Sequence, residues 1–482
     1  MKRFFFLLLT FLCILSIAAC NPPPTTPVLS TKMPLPATAT LASTPTTAPH
    51  CQPIVTLRLG ATTAQPIRPL LGINIGPGPA GNDPENADLT RAYRQIGVTL
   101  IRTHDFYGPL DMAMMYPDRR RDPSDPQAYD FQQSDKAWQA IIAGGFEPYL
   151  RLGDSYNNAT PPANAQERSN WVRAAVEVIR HYRQGQWNGF NTSFHYVEIW
   201  NEPDNLQFWP KPHNAQEYFQ LYVETAQALK QAFPDLLIGG PGLTQMGVST
   251  PTGQTWLRNF LDYVRKNNAP LDFFSWHLYS NDPNETVRAA QFYRAELDAH
   301  GFQNTAMHIT EWNTDIRRQA SPNAEALALR TGGKGAALLT ASWIALQDND
   351  VAVSTFYRGP DPAMDAPQFY GLFYADGKPK RIALAFELWS QLAAHPQRMA
   401  LSADRQTGLW MLAGQNNADE TALLIANPTQ SSICYRITGL EGRFIRLLQV
   451  DDRSDAIQSV ALDGDTVEIG GYTVQLLLSG SH

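Results

Sequence analysis

From about residue 68 to 395 the chain alternates short apolar runs with amphipathic helical stretches, and this rhythm restricts the fold more than any other feature. The candidate strands are Leu71–Ile75, Thr99–His104, Glu147–Leu152, Tyr196–Trp200, Leu236–Gly240, Phe273–Leu278, Met307–Glu311 and Val351–Phe356. Between them lie helix-like segments such as Trp171–Tyr182, Ala215–Ala232, Trp256–Lys266, Thr286–His300, Gly335–Gln347 and Ala383–Ala394. Eight strands separated by helices over roughly 330 residues predict an α/β fold of the (β/α)8 TIM barrel type. A doubly wound sheet is the competing arrangement.

The tail has a different pattern. Gly408–Ala413, Thr421–Asn427, Ser432–Thr438, Phe444–Val450, Thr466–Ile469 and Tyr472–Leu478 are short, alternating and joined by Gly, Asp or Asn. That predicts an accessory antiparallel β-sandwich. The strand-like Ile54–Leu59 is a candidate to join it, which would bring Cys51 towards Cys434.

At the other end, Lys2 and Arg3 precede an apolar run from Phe4 to Ala19, followed by Cys20. A basic head, a short apolar segment and small residues before a cleavage point read as a secretory signal peptide. Ile17-Ala18-Ala19-Cys20 resembles the bacterial lipobox, whose Cys is lipidated and becomes the mature N-terminus. Residues 21–50 hold eight Pro, eight Thr and two Ser, a composition that buries no core and suits a tether. The expected organisation is therefore 1–19 signal peptide, 20–50 lipidated Cys20 and Pro/Thr-rich tether, 51–69 strand region, 70–395 catalytic barrel and 396–482 β-sandwich. Export with a lipid anchor on the bacterial cell envelope is the expected location.

Composition narrows the partners. The formal charge of −7 argues against nucleic acid, which calls for a basic patch. Aromatics at 11% provide flat faces on which a neutral sugar ring can stack. Cys13 leaves with the leader and Cys20 is the anchor, so Cys51 and Cys434 remain, either as a disulfide in an oxidising compartment or as two free thiols. No metal or cofactor pattern is visible: there is no HExxH, no paired CxxC, and the ten His are scattered. Nothing in the sequence sets an oligomeric state.

Carboxylates at the C-terminal ends of barrel strands are where such barrels do chemistry. Glu202 closes the fourth candidate strand in Tyr196-Val197-Glu198-Ile199-Trp200-Asn201-Glu202-Pro203, and Glu311 closes the seventh in Met307-His308-Ile309-Thr310-Glu311-Trp312-Asn313. Strands four and seven lie roughly across the mouth from each other, so both carboxylates can face one ring. Glycoside hydrolysis needs such a pair, one protonated to release the leaving oxygen and one ionised. Asn201 is placed to bind the sugar 2-hydroxyl, a contact that strengthens in the transition state.

Trp200-Asn201-Glu202-Pro203 with Thr310-Glu311-Trp312 resembles the clan A retaining glycosidases, and the wider pattern resembles glycoside hydrolase family 39, the β-xylosidases and α-L-iduronidases. Further matching stretches are Ile101-Arg102-Thr103-His104-Asp105, Gly145-Phe146-Glu147-Pro148-Tyr149, Phe208-Trp209, Ile238-Gly239-Gly240-Pro241 and Asp272-Phe273-Phe274-Ser275-Trp276-His277-Leu278-Tyr279, all in the family's order across about residues 70–395. The resemblance implies Glu202 as general acid/base and Glu311 as nucleophile, about 5–5.5 Å apart if displacement is double. It also implies Arg102 and His104 at the base of the sugar site, with His277 and Tyr279 holding hydroxyls or orienting Glu311. The structural alternatives are a buried ion pair for Arg102, a core histidine for His277 and packing for Tyr279. Trp200, Trp276 and Trp312 are either sugar platforms or packing residues, with Trp312 the best platform candidate.

The chain departs from the family at strand eight, where it reads Ser354-Thr355-Phe356-Tyr357-Arg358-Gly359-Pro360-Asp361 in place of a Trp and an acidic cluster. Arg358 reads either as a partner for a uronic carboxylate or, preferably, as a surface pair with Asp361. The leading functional expectation is a retaining, exo-acting hydrolase of β-xyloside- or arabinoside-type glycans from plants or microbes. The alternatives are endo-cleavage of a polysaccharide by the same residues, or a non-catalytic carbohydrate-binding lipoprotein.

Overall fold

The computed structural model describes residues 53–78, 87–104, 108–156, 158–316, 324–363, 370–439, 444–462 and 464–480. The expected leader, Cys20, the tether and Cys51 lie outside the described residues.

After β1 (Ile54–Pro66) come eight parallel strands: β2 (Gly72–Asn74), β3 (Leu100–Arg102), β4 (Glu147–Leu152), β5 (Tyr196–Ile199), β6 (Leu237–Leu243), β7 (Phe273–Tyr279), β8 (Ala306–Asn313) and β9 (Val351–Phe356). They close in chain order into the expected barrel. The seam joins β2 to β9 with Gly72 opposite Thr355. A Cβ on Gly72 would lie 2.4 Å from the Ser354 carbonyl oxygen, so only glycine lets the seam shut. Helices on the outside start where the sequence supplies caps. Asn214 and Glu217 form a reciprocal capping box for Ala215–Ala232, and Thr250 and Asp282 cap helices that open with Pro251 and Pro283.

The barrel interior is apolar and aromatic at its N-terminal end, where Phe273 stacks on His308 and Tyr149 OH meets His308 Nδ1 at 3.1 Å. Burial pulls His308 down to about 3, so it sits there as a neutral ring. Towards the C-terminal end the inward side chains become polar, and the site is built there.

β10 (Gln397–Ala403), β11 (Trp410–Gln415), β12 (Thr421–Asn427), β13 (Ile433–Thr438), β14 (Phe444–Val450), β15 (Gln458–Val460), β16 (Val467–Ile469) and β17 (Thr473–Ser479) join β1 in one curled nine-stranded sheet. Its order is β15-β14-β17-β12-β11-β10-β1-β13-β16, and all pairings are antiparallel except β1 with β13. Cys434 is disulfide-bonded, and β1 begins opposite it in the register Ile54 to Cys434. The expected partner, Cys51, lies outside the described residues.

β12 is buried on both faces. Leu423 and Ile425 turn into the curl beside Leu57, Tyr435 and Leu477, while Ala422 and Leu424 pack with Leu476 against the barrel's helices Gly333–Asp348 and Arg381–Ala393. The sheet is thus continuous with the barrel's hydrophobic core. Leu424→Ala should lower folding stability by about 2–5 kcal/mol through the cavity it leaves. Urea denaturation reads this directly, and an unchanged midpoint would show that the two layers do not share a core.

Candidate active site

Arg102, at the end of β3, is fully buried and organises the mouth of the barrel. Its Nε and Nη2 hold Glu198 Oε2 at 2.7 and 2.6 Å, Nη1 reaches Asn74 Oδ1 at 2.9 Å and Glu311 Oε1 at 3.0 Å, and Nη2 donates to Asn201 Oδ1 at 2.6 Å. Burial works against the charge, but Glu198 and then Glu311 outweigh it and keep the guanidinium firmly protonated. Glu198 is also fully buried and takes a second hydrogen bond from Thr310 Oγ1 at 2.8 Å.

Glu311 receives donors on both oxygens. His104 Nε2 lies 3.2 Å from Oε1, and Tyr279 OH donates to Oε2 at 3.0 Å. Burial pushes the Tyr279 hydroxyl well above its ordinary range, so it remains a neutral donor. Burial, then the cations Arg151 and Arg102, push His104 well below the ordinary imidazole range. Both Glu311 oxygens are thus met by hydrogen-bond donors.

Glu202 sits differently. Trp200 and Glu202 both adopt positive φ, 75° and 44°, which costs roughly 1–2 kcal/mol per non-glycine residue. The turn is held by Glu202 N–H donating to the Gly242 carbonyl at 3.0 Å. Gly242 itself has φ +63°, and a Cβ there would stand 3.3 Å from His277 Nε2 and 3.4 Å from Glu198 Oε1. Glu202 Oε1 faces His277 Nδ1 at 2.9 Å, and Oε2 accepts from Asn205 Nδ2 at 2.8 Å. Burial lowers His277 below its usual value, which keeps the ring neutral and able to take or give one proton at Nδ1. The same Nδ1 is 3.7 Å from Glu311 Oε2, and one atom each of Glu202, His277 and Glu311 lie within 4.8 Å of one another. That spacing also admits a cation. Close by, burial raises Asp204 to about 6, against hydrogen bonds from the Thr244 hydroxyl and N–H.

The family model for Glycosyl hydrolases family 39 matches residues 60–328. The chain belongs to glycosyl hydrolase family 39. It is 27% identical over 258 residues to a Beta-xylosidase of Geobacillus stearothermophilus, covering 47% of this chain and 49% of that protein. Over 210 residues it is 26% identical to a Beta-xylosidase of Caldicellulosiruptor saccharolyticus, covering 40% of this chain and 39% of that protein. The match thus spans about half or less of each relative's length. Among solved structures, a glucosidase from Croceicoccus marinus superposes with TM-score 0.72 at 23% identity, over 88% of this chain and 99% of that one.

Within this family 39 barrel, Arg102, His104, Asn201, Glu202, His277, Tyr279 and Glu311 converge on one mouth. Trp312 does not. Its ring is buried between Trp343 and Phe356, with centroids 5.4 Å from each, so it packs the barrel against its helices and the platform expectation is corrected. Trp276 likewise packs on Tyr293, and Trp200 on Trp171 and Trp209. The rings around the mouth are instead Phe208, Tyr357 and Tyr370, with Phe208 and Tyr357 5.8 and 6.5 Å from His104. Arg358 and Asp361 are 5% and 2% exposed, and Asp361 pairs with buried Lys380 at 2.6 Å, so they are not a surface pair.

Sequence reasoning missed Asn74, Glu198 and Asn205 as members of the site. Glu198 had a usable signal, a charge in the inward phase of an apolar strand four residues before Glu202. Asn205 had none, because its role depends on the turn that Glu202 initiates.

Glu198→Leu leaves half of Arg102 uncompensated and should cost about 3–5 kcal/mol of stability, measured by denaturant titration. Asp204 gives a pH test. Its folded value of about 6 exceeds the ordinary 3.8, so its contribution to stability is full below about 4 and is lost as pH rises through about 6. Asp204→Asn should gain stability relative to wild type across that interval. A pH-independent difference would contradict the assignment.

Proposed function

We propose that this chain is a retaining glycoside hydrolase acting by double displacement, with Glu311 as nucleophile and Glu202 as general acid/base. The approach of the two carboxylates carries the reading: oxygens within 4.8 Å suit direct attack, whereas inversion places carboxyl groups about 6.5–9.5 Å apart to admit a water. Glu311, surrounded by Arg102, His104 and Tyr279, attacks the anomeric carbon as Glu202 gives its proton to the departing oxygen. With Glu202 protonated on Oε1, the proton shares the neutral His277 Nδ1, while Asn205 occupies Oε2 as a donor. In the second step Glu202, now ionised, takes a proton from the water that attacks the Glu311 ester. Asn201 Oδ1 is held by Arg102 and its buried Nδ2 has no partner, which leaves a donor for the sugar 2-hydroxyl.

The sugar is proposed from the relatives' printed activity: β-xylosides, or α-arabinosides of like shape, cleaved from chain ends. The leader sequence adds the proposal of export and lipid anchoring through Cys20, which Cys20→Ser would abolish in a membrane fractionation.

A panel of nitrophenyl glycosides (β-xyloside, α-arabinoside, β-glucoside, β-galactoside, β-glucuronide) names the sugar. On a substrate with a poor leaving group, Glu202→Ala should slow turnover by about 10²–10⁴-fold. Glu311→Ala should abolish turnover, and azide should restore it with inverted product. Activity of Glu311→Ala without added anion would refute the nucleophile.

A further inference from the structure

Arg151 is the penultimate residue of β4 and is fully buried, yet it takes no part in the steps above. Its Nη2 donates to Asp111 Oδ1 at 2.6 Å and approaches Ser155 Oγ at 3.5 Å, while Nε and Nη1 have no hydrogen-bond partner. The neighbouring strand supplies the complement. β3 and β4 run in the register Leu100 to Glu147, Ile101 to Pro148 and Arg102 to Tyr149. Past that ladder Thr103 N–H donates to the Tyr149 carbonyl and Arg151 N–H to the Thr103 hydroxyl, each at 3.0 Å, which ties the two strand ends together, and Arg151 is the foremost cation acting on His104. Arg102 and His104 share the inward phase, as do Tyr149 and Arg151.

His104 is neutral, held so by burial and by the Arg151 cation. Its Nε2 faces a Glu311 oxygen at 3.2 Å, so the ring proton belongs on Nε2, where a carboxylate accepts it. Its Nδ1 is then a bare lone pair, buried and without a partner. Two adjacent strands thus present donors lacking an acceptor beside an acceptor lacking a donor. Buried groups of this kind are seldom left unmatched.

One common functional group matches both. A hydroxyl accepts from Arg151 and donates its own hydrogen to His104 Nδ1. A carboxylate or sulfate has no hydrogen to give Nδ1, and an ammonium has no lone pair for Arg151. Asp111 already pairs with the guanidinium at 2.6 Å, so Arg151 is not a cation waiting for an anionic partner.

We propose that Arg151 and His104 Nδ1 together bind one ring hydroxyl of the neutral sugar seated on Glu311, beside the hydroxyl taken by Asn201, and that Arg151 is a specificity-determining residue. This rests on the glycosidase reading and deepens it.

The test couples a protein deletion to a substrate deletion. Nitrophenyl β-D-xyloside and its 3-deoxy and 4-deoxy analogues are compared by kcat/KM for wild type, Arg151→Met and Arg151→Lys. Wild type should lose roughly 10²-fold or more with one deoxy analogue. Arg151→Met should be slower on the parent and nearly indifferent to that deletion, and Arg151→Lys should recover part of the discrimination. If Arg151→Met falls equally on all three substrates, Arg151 is only a brace and the inference is overturned. Should Arg151→Met fail to fold, the deoxy penalties of Arg151→Lys decide, since a changed ratio supports the pair and an unchanged ratio refutes it. A wild type that cleaves no xyloside would instead count against the functional reading. In that case calorimetry with D-xylose and its 3- and 4-deoxy forms replaces turnover, where weaker binding of one deoxy sugar supports the hydroxyl site. Equal binding of all three, or none, overturns it.

Discussion

The mouth of the barrel depends on one buried guanidinium. Arg102 ties Asn74 on β2, Glu198 at β5, Asn201 just beyond it and Glu311 on β8, so strands from opposite sides of the barrel meet at a single cation. A buried charge is tolerated only when it is paired and hydrogen-bonded, and Glu198 does most of that work at 2.6 and 2.7 Å. Glu311 keeps a single contact to the same group at 3.0 Å. The division has a consequence for reactivity. Glu198 satisfies the cation, and Glu311 is oriented by it without being locked into a two-oxygen ion pair.

The two facing carboxylates are then separated by their surroundings. Glu311 meets a cation, a neutral imidazole and a phenol, all able to donate. Among the described residues Glu202 meets a neutral imidazole and the Asn205 amide, on a turn of positive φ held by Gly242. Different partners for chemically similar groups are how one site holds an acid and a base at the same pH. His277 lies between them, and its burial-lowered basicity lets it sit beside both without adding a second positive charge.

Much of this was legible in the sequence. All eight barrel strands fall where the apolar runs predicted, because buried parallel strands are apolar on both faces. Helix Gln132–Ala143 was harder to see, since its first turns are polar and only Ser134, Trp138 and Ile141 are buried. β10 was missed for a similar reason, with Met399 its one buried residue. Glu202 and Glu311 were readable as carboxylates closing apolar strands. Trp312 was misread because no local pattern shows that β8 is irregular at Thr310, past which the Trp312 ring packs on Trp343 and Phe356. Arg358 and Asp361 were misread because the Lys380 that pairs with Asp361 comes nineteen residues later, a contact that no local pattern encodes.

The most direct measurement is to trap the covalent intermediate with an activated 2-deoxy-2-fluoro-β-xyloside and sequence the labelled peptide by mass spectrometry. A single fluorosugar on Glu311, formed as activity is lost, is the expected result. A label on Glu202 or any other side chain, or turnover to inverted product with no label, would contradict the assignment of Glu311 as the nucleophile.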